Sequence, residues 1–319
     1  GAVAAGIVEL DDPQQFGEVP RHGDDREPVD GGVIVRVIAP HATVTDATLY
    51  ASSIAEDEHS AWAAPTVYAA GQRVISAHRV FERLTPGASA TLPADDPDNW
   101  QRIGWTNRWA MFDPAMASPS TAAGSITAEI LAGAVTDVVL LGVVGSQVQV
   151  TANGSTVRTV SVPAPAAPFT SSTVHVTGLS ISSGQRTGIV VTGSGTLQLA
   201  HVLAGENIDL GVTLDDPSVG ITDRSTVETD DFGITRVVPR PYNRWIQASV
   251  YLPGTDVDRV APILEGLRAV PAYWIAMDGV EALSCLGVYR DWSIDVQTED
   301  SATYSIRLDG MARNDASIA

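Results

Sequence analysis

The chain has 319 residues, a formal net charge of -19, 44% hydrophobic residues and one cysteine; at roughly 100–200 residues per domain, this length predicts two or three domains with cores of their own. The single cysteine, Cys285, excludes intrachain disulfides and zinc frameworks built from paired cysteines. The acidic balance excludes a phosphate-tracking nucleic-acid binder, which needs a basic stripe to release counterions.

Charge also divides the chain. Residues 1–104 carry 16 acids against 7 arginines, residues 105–205 carry 3 against 3, and residues 206–319 carry 19 against 9, with no lysine anywhere. The neutral middle third lacks the long-range repulsion that would hinder packing against copies of itself.

Residues 1–32 are rich in Asp, Glu, Gly and Pro and read as an extended acidic arm that orders against a partner, with Ile7, Val8, Leu10 and Phe16 as its anchors. The opening Gly1-Ala-Val-Ala-Ala has no basic region and its apolar run stops at Glu9, so it reads as a processed or trimmed start rather than a secretory signal. Val33–Ile38 reads as a strand that opens a small β module over residues 33–104.

Within that module Trp62, Tyr68, Phe81 and Trp100 are spaced around two strand candidates, Arg73–Ser76 and Arg79–Leu84. Two readings compete for the four rings. So small a unit needs large side chains to bury enough area, which makes them a mini-core; exposed rings would instead stack on sugar faces and bind a glycan. The core is expected, because Arg73, His78 and Arg83 supply the polar alternation of a solvent face. Asp95, Asp96, Asp98 and Asn99 then crowd hard oxygens of the kind Ca²⁺ takes into one loop. Proline beside such acids is also turn chemistry, and the turn is the expectation here, with no metal site.

The middle third alternates apolar and polar residues with period two at Ser146–Thr151, Ser155–Val162 and Gly195–Val202, and Asn153-Gly154 reads as a two-residue hairpin turn between the first two. This predicts a β-sandwich over residues 105–205, with the proline-rich Pro163–Pro168 as a surface loop. The longest apolar stretch, Ile130–Val144, is broken by Thr136 and Asp137 and is too rich in β-branched residues and glycine for a membrane-spanning helix.

In residues 206–319, Val260, Ile263, Leu264, Leu267 and Val270 recur at helical spacing. Asp258 as cap puts Pro262 in the first turn and Pro271 stops the run, so the spacing predicts a helix over 258–270, the only long one in the chain. Strand patterns flank it at Trp245–Leu252, Ala272–Met277, Leu283–Tyr289, Trp292–Gln297 and Thr303–Asp309. The third segment is therefore expected to be an antiparallel β domain with one inserted helix, and the whole chain mainly β.

Nucleophile elbows, phosphate loops, dinucleotide fingerprints and zinc-protease helices are all missing from the sequence. The six histidines, His22, His41, His59, His78, His175 and His201, stand singly, and are expected to be solvated or singly hydrogen-bonded. A glycan-degrading enzyme would need two carboxylates about 5–10 Å apart across a cleft, and nothing nominates a pair among the 38 acids. No enzyme activity and no cofactor is expected.

Three sets of residues carry a resemblance. Trp62-x5-Tyr68-x2-Gly71-Gln-Arg-Val74, His78-Arg-Val-Phe81-Glu-x-Leu84 and Trp100-x3-Gly104 resemble the small chitin-binding-type carbohydrate-binding module of chitinases and phage tail proteins. Thr106-Asn-Arg-Trp-Ala-Met-Phe-Asp113 is similar to a segment of tail structural proteins of tailed bacteriophages, where such a module precedes a β-sandwich. Gly220–Ser225, Asp231-Phe-Gly233, Val238-Pro-Arg240, Pro271–Ile275 and Gly287–Tyr289 fit the same group, so the resemblance spans about residues 33–312. It implies a virion tail component, at the distal tail or baseplate, that partners copies of itself in a ring or spike and other tail proteins. It also implies host surface glycan as a ligand, with Trp62, Tyr68, Phe81 and Trp100 as the binding residues. Thr85–Ala94 departs from the module in carrying no aromatic to complete a platform.

Overall fold

The structure, a computed structural model, describes residues 34–313 apart from Ala117, Pro168, Asp215, Asp216, Asp230 and Glu299. The expected acidic arm, residues 1–32, lies outside the described residues. Period-two patterning governs the rest, which is mainly β. β1 (Ile34–Pro40) and β2 (Leu49–Ser52) precede the aromatic segment, which contributes β3 (Thr66–Tyr68), β4 (Arg73–Ser76), β5 (Arg79–Arg83), β6 (Gly87–Ser89) and β7 (Trp100–Trp105). The middle third supplies β8 (Ser120–Ile130), β9 (Asp137–Val143), β10 (Gln147–Ala152), β11 (Ser155–Ser161), β12 (Ser172–Val176) and β13 (Thr187–Leu199). After β14 (His201–Thr213) come β15 (Ser218–Thr222), β16 (Thr226–Thr229), β17 (Thr235–Val238) and β18 (Tyr242–Pro253). The helix α1 (Val257–Gly266) follows, then β19 (Ala272–Ile275), β20 (Ser284–Val296) and β21 (Ser301–Arg313).

The largest sheet runs β12-β9-β14-β1-β19-β20-β21-β18-β15, and β18 also pairs back with β14 at Val212↔Tyr251 and Thr213↔Val250. That second pairing closes β14, β1, β19, β20, β21 and β18 into a six-stranded barrel. Closure removes the open edges that would template aggregation. Val37, Leu210, Ile246, Val250, Trp274 and Leu308 fill the barrel core, and α1 packs Val260 and Leu264 against it.

The β12-β9-β14 wing faces a second sheet, β11-β10-β13-β8-β2, across a core that includes Ile126, Leu140, Val148, Val150, Ile189 and Val191. This is the expected sandwich, and its second sheet contains an antiparallel hairpin in which Asn153 (φ 48°) and Gly154 (φ 83°) both take left-handed backbone, as a type I′ turn requires. β9 is covered on both faces. Leu140 and Val138 point into the sandwich, while Val139 and Leu141 join Ile38, Leu203, Tyr273 and Leu286 in a third core on the other side. Burial on both faces is the reason Val138–Leu141 is continuously apolar instead of alternating.

Several boundaries differ from the sequence expectation. β1 belongs to the barrel, between β14 and β19, and β2 pairs with β8 in the sandwich, so the aromatic module proper consists of β3 to β7. Gly195–Val202 is two strands: the chain leaves one sheet at Leu199 and enters the other at His201. The segments Leu283–Tyr289 and Trp292–Gln297 fuse into β20, whose register shift between Tyr289 and Asp291 had broken the alternation.

The helix is shorter than the periodicity implies. It begins at Val257 with Asp256 at the cap position, which places Pro262 inside it. The residue whose carbonyl loses its donor, Asp258, is exposed, so water replaces the missing bond while buried Val260 and Leu264 hold the turn. It ends at Gly266, and Ala269 adopts left-handed backbone (φ 61°). Leu267 and half-buried Val270 therefore reach the core from a turn, not from the helix. Among the described residues α1 is the only α-helix, and no helix is long and apolar enough to cross a membrane.

Candidate functional site

Tyr68, Phe81 and Trp100 are buried with Val74 in one cluster, and Trp62 packs half-buried against it. The Tyr68 hydroxyl donates to the Ala63 carbonyl (2.9 Å) and accepts from the Ala63 N–H (2.8 Å), and its ring meets Trp100 edge-on at 5.1 Å and 72°. Rings so placed are the module's core. A sugar platform on these four residues would need at least two exposed, roughly coplanar rings; three of the four are buried and the Tyr68–Trp100 pair is far from coplanar.

Arg83 is a correction. Expected on the solvent face, it is 4% exposed, with its guanidinium 5.0 Å from the centre of the Trp100 ring and 3.7 Å from Asp96. The pairing of β5 with β7 shifts register between Val80 and Phe81, so both are buried and the alternation inverts beyond them. Phe81 and Arg83 then point inward together. The same guanidinium decides the acidic loop. Asp96 faces Arg83 and accepts from Asn99 Nδ2 at 2.8 Å, while Asn99 Oδ1 accepts from the Thr85 hydroxyl. A cation already stands beside Asp96, and these side chains are spent closing the turn.

The histidine expectation fails at His78. Ala77 (φ 47°) and His78 (φ 63°) form the tight turn between β4 and β5, which leaves the imidazole projecting from the module's tip. Its Nδ1 lies 3.0 Å from Glu56 and its Nε2 2.9 Å from Asp46, and the ring stacks on Trp109 at 4.4 Å. Burial opposes the charged ring, but the two carboxylates outweigh it and raise the pKa above its ordinary value. Glu56 also accepts from the Thr106 hydroxyl at 2.8 Å, and the Thr106 N–H donates to the His78 carbonyl. Asn107 extends the junction by exchanging two hydrogen bonds with the Thr121 backbone, 2.8 and 2.7 Å.

His78 is therefore a clamp between the aromatic module and the sandwich. Its partners lie 22 and 32 residues away, so no local spacing could have revealed them. Its contribution is fully present below the ordinary histidine pKa near 6.5 and is lost as pH rises through the raised folded value. Glu56→Ala should cost about 1–3 kcal/mol by stranding the Thr106 hydroxyl and one imidazole nitrogen, and an NMR titration should show the His78 pKa falling.

Two further histidines and the cysteine are also committed to structure. His175 Nε2 is 2.7 Å from buried Asp137, which also accepts from Asn207 at 3.2 Å, and His41 pairs with Glu206 at 3.1 Å. Cys285 is buried, and burial pushes its thiol up to about 12, far from a reactive thiolate. Among the described residues, no three His, Cys, Asp or Glu side chains are placed to hold a metal ion; the imidazole of His78 separates its two carboxylates on opposite nitrogens.

One surface stands out instead. β16 and β17 form a two-stranded hairpin that pairs with no other strand among the described residues. Val227 (65% exposed) lies directly opposite Val237 (58%), making an apolar patch that no core covers among the described residues, and Phe232 at the tip is 90% exposed. On β15, nearby in sequence, Ile221 is also exposed. The alternation in Thr226-Val-Glu-Thr carries a strand signal, but no sequence rule tells an uncovered apolar face from a covered one. No family model matches the chain, and neither does any curated protein or solved structure.

Proposed function

We propose that this chain is a structural protein of a bacteriophage tail, of the distal tail or baseplate kind, and that it acts in the virion by oligomeric assembly and not by turnover. The tail assignment rests on the sequence resemblance. The assembly mode rests on the β16–β17 hairpin, a ribbon whose Val227–Val237 pair is uncovered among the described residues. Isolated two-stranded hairpins are marginal in water, and exposed contiguous apolar surface marks protein contact sites. A projecting hairpin seated on a neighbouring copy makes a heterologous contact, and repeating such a contact builds rings.

Light scattering on the full chain tests this reading. The native protein should form a closed oligomer, and Val227→Glu with Val237→Glu should reduce it to monomer with an unchanged far-ultraviolet circular dichroism spectrum. A native chain that stays monomeric at high micromolar concentration would sink the assembly mode. Antibody labelling of virions tests the location: the reading requires label at the distal end of the tail.

A further inference from the structure

A cavity of about 380 Å³ opens where the sandwich meets the C-terminal end of α1, lined by Phe112, Leu131, Val202, Leu267, Val270 and His201 among others. Its size falls within the range of small-molecule sites, about 300–1,000 Å³, and its lining side chains are mainly apolar, with His41, Thr43 and His201 as the polar ones. The element boundaries explain why it exists. The helix stops at Gly266 and the chain turns away through Ala269, so the last turn cannot cover the ends of β8 and the start of β14.

His201 is the buried polar side chain of this wall. It is 7% exposed, and its Nδ1 lies 2.9 Å from the Asp113 carbonyl. A carbonyl only accepts, so Nδ1 carries the proton. Burial keeps the ring neutral, with its pKa lowered to about 4, and a neutral ring protonated at Nδ1 leaves Nε2 as a lone-pair acceptor. Among the described residues Nε2 has no hydrogen-bond partner, and a ligand that covers this acceptor without donating to it is penalised.

We propose that this cavity is a binding site for a small uncharged molecule with an aromatic or otherwise apolar body and one N–H or O–H donor, oriented by donation to His201 Nε2. A ligand without the donor leaves the imidazole acceptor desolvated and unmet, and an anion finds no arginine on the cavity wall, where His41 already faces Glu206 at 3.1 Å. The site is separate from the hairpin and does not depend on the oligomer.

A matched pair of probes tests it on the native chain. 3-Methylindole and 1-methylindole have the same heavy atoms, but only the first has an N–H to donate. Titration followed by NMR should give saturable binding of 3-methylindole at least tenfold tighter than that of 1-methylindole, with shifts at the amides of Val202 and Leu267. His201→Phe, which keeps a flat ring and removes the acceptor, should abolish the difference by weakening 3-methylindole alone. Equal affinities in the native protein, no saturation at millimolar 3-methylindole, or shifts confined to another face would each overturn the proposal. The native comparison needs no variant, so a folding failure of His201→Phe would not decide it.

Discussion

Replacing Trp100 by alanine is expected to cost about 3–5 kcal/mol, the range for removing a large aromatic from a core that collapses only partly. Three losses combine at this position. The ring is 2% exposed, it supplies the edge contact to Tyr68, and it lies against the Arg83 guanidinium at 5.0 Å. Arg83 Nε and Nη1 are buried with no hydrogen-bond partner, so without the ring Asp96 at 3.7 Å is the carboxylate left beside that charge. A buried charge with its support removed is strongly destabilising. The barrel and sandwich cores share no residue with the aromatic cluster, so hydrogen exchange should rise in β3 to β7 first. Trp62→Ala, at a half-buried ring, should cost clearly less. If Trp62→Ala instead destabilised the module as much as Trp100→Ala, the assignment of the core would be wrong. Retention of Trp100→Ala on chitin or host polysaccharide should fall only as the module unfolds; loss of retention by a fully folded variant would restore the glycan reading.

The second large effect is acid-dependent and runs through His201. Burial lowers its pKa to about 4, while the hydrogen bond to the Asp113 carbonyl works weakly in the opposite direction. In the unfolded chain the ring titrates near 6.5. Between those values the unfolded state holds a proton that the folded state does not, so stability rises with pH across the window and is lost as pH falls from 6.5 towards 4. The separation corresponds to about 3 kcal/mol. His78 behaves oppositely, since its raised pKa makes its clamp strongest in the same acid range. Denaturant titrations at pH 6.5, 5 and 4 should therefore show a steep decline in the native protein and a shallower one in His201→Gln. Equal slopes in the two proteins would show that His201 is solvated, and would also remove the acceptor from the cavity wall.

Much of the fold was legible because strand signals are local. Period two at Ser146–Thr151 and Ser155–Val162, with Asn153-Gly154 between them, specifies dihedral angles, faces and register within one hairpin, and the strands form within a residue of those bounds. Arg73–Ser76 was bounded correctly for the same reason, and four widely spaced aromatics in so short a segment had few alternatives to packing on one another. The helix was recognisable from its apolar spacing, but its end was not, because Gly266 and the backbone reversal at Ala269 compete with a periodicity that continues through Val270.

What the tertiary structure alone decided are the pairings between distant segments. β1 looks like part of whatever follows it in sequence, yet it fills the gap between β14 and β19 and completes the barrel. Nothing within Ile34–Pro40 encodes partners more than 160 residues away; the choice depends on which arrangement buries Val35 and Val37 while leaving no edge unpaired. Arg83 turned inward because one register shift inverted the strand beyond it. His78 found its two carboxylates, and His201 its apolar wall, by the same route. Local sequence determines the conformation and face of each strand, because sterics and side-chain polarity act over a few residues. The environment of a buried charge or imidazole is set by elements that meet only after the chain has closed on itself, and there only the folded structure carries the information.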